Sequence, residues 1–438
     1  MRAGTNKNFI FVVTHLFPYA PSHGTELRIL KLIKALHTAG YQVVLILCEP
    51  PREKEYVAEL LKFVAAVHCV GPSWRTRLGR RFPRTRRLIW ENVKPLIPRL
   101  QMPDTSVVAK LYEQIPSTVG DERKKRAVVP AELAVLVSDL ARRYQPIAVI
   151  AEYIFLTDCF ALLKPDVLRV TDTIDVFSLR GKQVVNYGID DDPWICTPEE
   201  ERAYLLRADV IIAIHEREAR VLRELVPERQ VLTVGIDFEI DKRAKSNLTA
   251  PDSITVVASA APLNVHGLKK FFTECWPDIK SAHPAATINV VGTVGSCCRI
   301  EDASVNYIPR AEDLSEVYRR SRVVINPTVA GTGLKVKSVE ALAHGKPLVA
   351  WPLGVDGLDY GDEPPYVKCE SAKEFAAAVI RLLEDDDAAD ALSKRALEYA
   401  GTNFEQAKVY APLNACLKAH ASINRPSQSG QVSVALAD

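Results

Sequence analysis

Short apolar runs recur along the chain, and many are followed by a glycine- or proline-containing turn and then by apolar residues at helical spacing. The first unit has an apolar run at 9–13, a helical pattern at 25–38 and a second apolar run at 43–47. A strand, a helix and another strand in this order predict a parallel sheet with helices on both faces. The chain therefore opens as an α/β protein with a doubly wound sheet.

The same alternation continues to about residue 350 and is interrupted once, by the polar stretch 241–252. Further strands are predicted at 148–150, 168–170, 210–214, 253–258, 287–292, 305–308, 323–325 and 348–350. Helices are predicted at 263–272, 312–318 and 388–417. Because the pattern starts afresh at 253, we expect two domains, C-terminal helices and a disordered tail rich in Ser, Gln and Gly, with bounds 1–247, 248–387, 388–421 and 422–438.

Composition agrees with two soluble domains and changes little else. A chain of 438 residues that is 47% apolar and 25% charged can form two cores. The net charge of +2 gives no reason to expect a nucleic-acid partner. Nine cysteines without C-x-x-C spacing predict reduced thiols and a cytoplasmic location. No signal-peptide pattern and no run of about 18 uncharged apolar residues is present, so no spanning helix is expected.

Two glycines stand between a predicted strand and a predicted helix in the second half of the chain. Gly331 and Gly333 follow the strand at 323–325 and precede apolar residues at helical spacing over 334–344. Glycines in this position let backbone N–H groups approach a phosphate, and the positive end of the helix dipole adds to the attraction. The arrangement predicts an anion-binding loop.

Two lysines begin this helix. Lys335 and Lys337 oppose the helix dipole by roughly 0.3 to 1 kcal/mol each unless an anion lies there. Glu340 follows Lys337 by three residues, so both side chains project from one face and can contact a phosphate and a hydroxyl of the same ligand. The alternative is an ordinary amphipathic helix with a solvated lysine face, because glycine loops before helices are common.

Residues 331–347 read GTGLKVKSVEALAHGKP, and this segment resembles the nucleotide-sugar signature of family 4-type glycosyltransferases with the GT-B fold. The resemblance implies two Rossmann-like domains that face a central cleft, with the acceptor on the first, the donor on the second, and the last helices crossing back to the first. It also implies that Lys337 holds the donor diphosphate and Glu340 the ribose hydroxyls. Many relatives carry a second glutamate before the glycines, where this chain has Ala330.

The first domain carries a second resemblance. Residues 172–178 read DTIDVFS and resemble the family segment D-T-H-D-V-F-[ST], and residues 199–214 also match the family pattern. The histidine of that segment is Ile174 here, which leaves Asp175 as the polar candidate for catalysis. The alternative is that Asp172 and Asp175 only cap a turn or helix after the strand.

The loop after the first strand supplies the remaining candidates. Gly24 ends this loop and opens a helix, at the sheet edge where open α/β proteins bind ligands. In the family this glycine lies by the donor phosphates, whereas the alternative is a helix cap without a ligand. His15 and His23 flank the loop, and either would replace the missing histidine, although a lone loop histidine is usually solvated. We take His15 with Asp175 as the catalytic candidates.

A basic segment at 74–90 contains seven arginines from Arg75 to Arg87 with apolar residues between them. Such a segment can bind an anionic membrane surface, with roughly 1 kcal/mol per basic residue near it. This would suit a lipid-linked acceptor and a protein peripheral to the inner face of the membrane. A solvated basic helix and a nucleic-acid patch are the alternatives.

Taken together, these patterns predict a glycosyltransferase that moves a sugar from a UDP- or GDP-sugar to a glycan or lipid-linked acceptor. The resemblance implies retention of anomeric configuration, and no D-x-D motif stands where a donor cation would need it, so neither metal nor cofactor is expected. A non-catalytic nucleotide-sugar-binding scaffold is the rival, supported by Ala330 and Ile174. A sugar-nucleotide epimerase and a glycogen-type phosphorylase share the fold, but no pyridoxal-lysine motif is present.

Overall fold

The computed structural model describes residues 8–18, 24–49, 55–70, 131–180, 196–241, 250–311, 313–358 and 363–423. Within these residues the chain forms two parallel sheets, each covered by helices. The predicted α/β architecture with two doubly wound sheets is therefore confirmed. The basic segment Arg75–Arg87 and His23 lie outside the described residues, as does the predicted tail from residue 424.

The first sheet has seven parallel strands in the order β3-β2-β1-β4-β5-β6-β7. The strands are β1 Phe9–Thr14, β2 Gln42–Leu47, β3 Ala66–Cys69, β4 Ala148–Glu152, β5 Leu168–Asp172, β6 Val210–Ala213 and β7 Gln230–Thr233. The helices are α1 Gly24–Thr38, α2 Glu55–Leu60, α3 Ala131–Tyr144, α4 Pro198–Leu205 and α5 Glu216–Leu225, with a 3-10 turn at Ile154–Phe160. The strand order reverses between β1 and β4, which is where ligands bind in open α/β sheets.

The second sheet has six parallel strands in the order β10-β9-β8-β11-β12-β13. These are β8 Ser253–Val257, β9 Thr287–Val291, β10 Val305–Ile308, β11 Val323–Asn326, β12 Leu348–Ala350 and β13 Val367–Lys368. The helices are α6 Pro262–Glu274, α7 Trp276–Ala282, α8 Leu314–Arg319, α9 Val336–Ala343 and α10 Ala372–Glu384, with 3-10 turns at Thr293–Ser296 and Pro352–Val355. The order reverses between β8 and β11, so α9 begins at the switch point of this sheet.

Alternate residues of the central strands supply two separate cores, as the two-residue period of a strand requires. Phe11 and Val13 of β1 face one cluster, which includes α3, whereas Ile10 and Val12 face another, which includes α1. The second cluster also contains Leu413 and other residues from the end of the chain. The last helix therefore packs on the first sheet.

The predicted helices differ from the structure by up to two residues in their bounds, apart from one long stretch that is divided. The single helical stretch predicted at 388–417 is three helices, α11 Asp386–Asn403, α12 Gln406–Val409 and α13 Ala411–Ile423. Glu405 is extended at the first break, and Pro412 stands in the first turn of α13, where proline is favoured. The helix predicted to begin at residue 334 begins at Val336, because Gly331 and Gly333 hold the preceding loop in a left-handed conformation.

Two connections run side by side between the sheets. The backbone N–H of Phe238 donates to the carbonyl of Phe404, at 3.0 Å, and the N–H of Asp241 donates to the carbonyl of Ala343, also at 3.0 Å. The outgoing connection is thus bonded to the returning chain and to the end of α9. Among the described helices, none is both long enough and apolar enough to span a membrane.

Candidate active site

The loop between β11 and α9 has the shape that its glycines predict. Gly331 and Gly333 have φ values of 110° and 75°. A Cβ atom on Gly333 would lie 2.4 Å from Oδ1 of Asp175, so only glycine fits where the loop meets the first domain. The Lys335 ammonium donates to the carbonyl oxygens of Gly331, Thr332 and Gly333, at 3.1, 2.7 and 2.8 Å. The Lys335 ammonium therefore stabilises the loop through hydrogen bonds to its carbonyls, whereas the sequence pattern predicted that it would bind an anion.

Lys337 and Glu340 project from α9 and are held by polar partners. Nζ of Lys337 donates to Oδ1 of Asn264 at 2.9 Å, and burial together with the charge of Lys335 lowers its pKa to about 7. Oε2 of Glu340 accepts from the hydroxyl of Tyr318 at 3.0 Å, and burial raises the pKa of Glu340 to about 6. A solvated lysine face does not describe this helix, because both groups are enclosed.

The starts of α1 and α9 meet across the cleft between the domains. A Cβ atom on Gly24 would lie 3.1 Å from Cγ2 of Val336, the first residue of α9. Each helix start carries unpaired N–H groups and the positive end of a dipole. Lys31, two turns further along α1, is close enough to Glu340 for its charge to oppose the burial effect on the Glu340 pKa. The cleft thus gathers hydrogen-bond donors and positive charge in one place.

Asp175 joins the first domain to the glycine loop. Its Oδ1 accepts from the hydroxyl of Thr332 at 3.1 Å, and its Oδ2 forms an ion pair with Arg180 at 2.8 Å. Ile174, immediately before it, has a φ of 66°, a left-handed conformation that is rare for a β-branched residue. Asp175 therefore contacts the loop of the other domain, which a residue that only capped a local turn would not do.

His15 lies beside Tyr153 at the carboxyl-end edge of the first sheet. It follows β1, and its ring centroid is 5.0 Å from that of Tyr153, which follows β4. Burial lowers the pKa of His15, which favours the neutral imidazole. The hydroxyl of Tyr153 lies 3.4 Å from the hydroxyl of Thr25, next to Gly24. His15 and Asp175 follow β1 and β5, and β4 lies between those two strands.

Sequence reasoning missed Glu218, in the first turn of α5. Its Oε1 accepts from the N–H of Gly333 at 2.8 Å, and burial together with the nearby Asp175 charge raises its pKa to about 8. His215 caps the same helix by accepting from the N–H of Glu218 at 3.2 Å. The available signal was an acidic residue in a helix that begins just after the buried strand β6, at the edge of the sheet where ligands bind.

A buried ion pair joins α1 to β5 next to the candidate site. Arg28 of α1 donates to both carboxylate oxygens of Asp172, at 2.9 and 3.0 Å. It also donates to the carbonyls of Val234 and Gly235, where the connection to the second domain begins. Glu152 lies opposite Asp172 in the sheet, and burial with the Asp172 charge raises its pKa well above the usual range. Asp172 is therefore a structural partner of Arg28.

Comparison with known proteins agrees with this geometry. Residues 251–385 match the model of the family described as glycosyl transferases group 1. Among solved structures, sucrose-phosphate synthase from Thermosynechococcus elongatus has a TM-score of 0.63 at 15% identity, covering 95% of this chain and 100% of that chain. HepE of Anabaena, in complex with UDP and glucose, has a TM-score of 0.60 at 13% identity, covering 94% and 99%. TarM of S. aureus has a TM-score of 0.62 at 10% identity, covering 94% and 98%. No curated protein sequence matches this chain significantly.

Two Rossmann-like domains with a glycine loop at the switch point of the second, together with the similarity to these solved structures, define the GT-B fold. The expected fold class is confirmed. The segment that matches the glycosyl transferases group 1 model, residues 251–385, carries the loop, Lys337 and Glu340, in agreement with the family resemblance of the sequence.

Proposed function

We propose that this protein transfers a sugar from a nucleotide diphosphate to a glycan acceptor, and that the loop after β11 and the start of α9 hold the donor. The observation that carries this proposal is the pair Lys337 and Glu340, one helical turn apart and both enclosed in the cleft. A diphosphate is the complement of a partly buried ammonium, and vicinal ribose hydroxyls are the complement of a partly buried carboxylate.

We infer a UDP-sugar as the donor, with a GDP-sugar as the alternative. HepE has been solved with UDP-glucose, and TarM with UDP, α-GlcNAc-glycerol and fondaparinux. Those ligands belong to those proteins and support the choice here through the shared fold. The acceptor that we propose is a glycan, free or lipid-linked, bound mainly by the first domain.

Each candidate residue has a task in this chemistry. As the bond between the sugar and the diphosphate breaks, negative charge builds on the departing phosphate. Lys337, once it has exchanged Asn264 for the diphosphate, and the N–H groups at the start of α9 can stabilise that charge. Asp175 places a carboxylate beside the loop, on the first-domain side where the acceptor would enter. Retention of configuration follows from the family resemblance and is part of the proposal.

The rival function is a scaffold that binds nucleotide sugars without turning them over. Ala330 is buried and carries no polar group, and Ile174 replaces a histidine of the family segment.

The test that separates the two functions is release of UDP from UDP-glucose, or of GDP from GDP-mannose, with and without membrane lipid and glycan acceptors. Catalysis predicts nucleotide release above the uncatalysed rate. Saturable binding by calorimetry without any release would favour the scaffold.

The affinity for the donor is expected to depend on pH with a maximum between the Glu340 pKa of about 6 and the Lys337 pKa of about 7. Glu340 must be ionised to accept two hydroxyl hydrogen bonds, so binding weakens as pH falls through its raised pKa. Lys337 must be protonated to meet the diphosphate, so binding weakens as pH rises through its lowered pKa, by up to about tenfold per pH unit. Calorimetry with UDP-glucose, whose diphosphate does not titrate in this range, measures the profile. A flat profile would contradict both assignments.

We also propose contact between the basic segment Arg75–Arg87 and an anionic membrane, which rests on the sequence alone. The protein is expected to co-sediment with vesicles that contain acidic lipid and to be released by salt, because salt screens charges beyond about 8 Å at physiological ionic strength. Neutral vesicles should bind little. The matched variant changes five arginines to glutamine and should lose co-sedimentation while keeping nucleotide affinity: Arg80, Arg81, Arg84, Arg86 and Arg87. Equal sedimentation of the two proteins would indicate a soluble acceptor.

A further inference from the structure

Tyr318 is a fully buried tyrosine whose hydroxyl points at the candidate site. It lies on α8, and its side chain has no solvent exposure. The hydroxyl donates to Oε2 of Glu340 at 3.0 Å. A buried phenol needs a hydrogen-bond partner, and here that partner is the carboxylate proposed to bind ribose. The contact therefore joins a residue without an assigned role to a residue of the donor site.

The Tyr318 ring is held in one orientation. His344, which ends α9, stacks on it with ring centroids 4.8 Å apart and an angle of 18° between the planes. His344 is itself located by the connection between the domains, since its Nδ1 lies 3.6 Å from Oδ2 of Asp241. The backbone N–H of Asp241 donates to the carbonyl of Ala343. Because the ring is fully buried and stacked on His344, the tyrosine hydroxyl has a fixed direction.

We propose that Tyr318 is a positioning residue for the donor ribose, which acts by fixing the carboxylate plane of Glu340. This inference deepens the proposed function and rests on it. An ionised carboxylate offers about four acceptor sites, and Tyr318 occupies one on Oε2. The remaining sites face two neighbouring hydroxyls only if the carboxylate cannot rotate. Fixing it should therefore favour nucleotides that carry both ribose hydroxyls over their 2′-deoxy analogues.

The hydrogen bond from Tyr318 to Glu340 also affects the pKa of Glu340, which packing of the tyrosine ring alone would not do. Donation from Tyr318 favours the ionised form of Glu340 and lowers its pKa against the effect of burial. Lys31 of α1 lowers the same pKa through its charge, and Lys337 and His344 lie on the same face of the chain as Glu340, three residues before it and four after it. None of these is changed by removal of the tyrosine hydroxyl. Its loss should raise the Glu340 pKa and move the acidic limb of the binding profile to higher pH.

The test uses the full-length protein with Tyr318→Phe, which removes only the hydroxyl. Calorimetry measures the affinity for UDP-glucose and its 2′-deoxy analogue across the range in which Glu340 titrates. We expect UDP-glucose to bind about two- to tenfold more weakly, as for the loss of one hydrogen bond. The ratio of the affinities for UDP-glucose and the 2′-deoxy analogue should fall toward one. The pH midpoint of the acidic limb of the binding profile should rise. His344→Leu, which keeps the hydroxyl but removes the stacking partner, should narrow the ratio in the same direction.

Tyr307→Phe is the matched control. It removes a tyrosine hydroxyl that accepts from the N–H of Ile300 at 2.8 Å on the edge strand β10, three strands from β11. This variant should keep the wild-type affinity, ligand ratio and midpoint. The proposal would be overturned if Tyr318→Phe left both the affinity ratio of the two ligands and the acidic pH midpoint unchanged, and if His344→Leu also left the affinity ratio unchanged.

Glu340→Gln separates failure of this inference from failure of the donor site. If Glu340→Gln weakens UDP-glucose binding while the two positioning variants leave the ligand ratio unchanged, the ribose site stands and Tyr318 has no part in it. If Glu340→Gln binds like wild type, or if the wild-type protein binds neither UDP-glucose nor GDP-mannose, the proposed donor site is wrong and the inference falls with it.

Discussion

Lys337→Ala is expected to weaken the binding of UDP-glucose about tenfold to a hundredfold. A charge-assisted hydrogen bond from an enclosed ammonium to phosphate contributes roughly 1.5 to 3 kcal/mol, and Lys337 stands in the first turn of α9 where the diphosphate is proposed to lie. The folded protein should not lose stability, because burial disfavours the charged form of this lysine before the donor binds. Calorimetry and thermal unfolding measure the two effects on one preparation.

Lys373→Ala is the control for this experiment. Lys373 is exposed on α10, a helix that contributes no candidate site residue. Its replacement removes the same charge from the protein and should leave the affinity unchanged. A folded Lys337→Ala protein with full affinity for both UDP and GDP would remove Lys337 from the site.

Arg28→Met is expected to cost about 3 to 5 kcal/mol of folding stability. The variant leaves Asp172 buried without its counter-charge, beside the buried carboxyl of Glu152, and breaking a buried ion pair from one side typically costs this much. It also removes the donors to the carbonyls of Val234 and Gly235. Denaturant unfolding of wild type and variant measures the difference.

The exposed pair between Lys62 and Glu59 is the reference for this prediction. Both side chains lie at the surface, and surface ion pairs contribute roughly 0 to 1 kcal/mol. Lys62→Met should therefore change stability by less than about 1 kcal/mol. An Arg28→Met protein as stable as Lys62→Met would show that Asp172 does not depend on its arginine.

The strands were the most predictable part of the fold, for a physical reason. Central strands of a parallel sheet are buried on both faces and appear in the sequence as continuous apolar runs, as β1 and β2 do. Two of the edge strands gave no such signal. β3 at Ala66–Cys69 is only partly buried, and β13 at Val367–Lys368 has two residues. Their pairing depends on the neighbouring strand, which a local pattern does not contain.

The site was predictable where it depends on local spacing. Lys337 and Glu340 share a face because they are three residues apart on one helix, and the structure keeps that spacing. The start of the helix was less predictable. Two left-handed glycines moved it by two residues, so Lys335 lies before the first helical residue and turns back onto the loop carbonyls.

The partners of these residues could not be predicted from spacing. Glu218 contacts Gly333 across 115 positions, and Tyr318 contacts Glu340 across 22. Such contacts arise from the packing of separate elements, here α5 against the loop and α8 against α9. The proposed donor site therefore depends on contacts between elements that are far apart in the sequence.

The most direct test of the proposed donor site is a crystal structure of the protein with UDP-glucose. The account predicts the Glu340 carboxylate within about 2.5 to 3.0 Å of the ribose hydroxyls, and the Lys337 ammonium on the diphosphate rather than on Asn264. A nucleotide bound elsewhere, with Lys337 still donating to Asn264 and Glu340 bonded only to Tyr318, would contradict it.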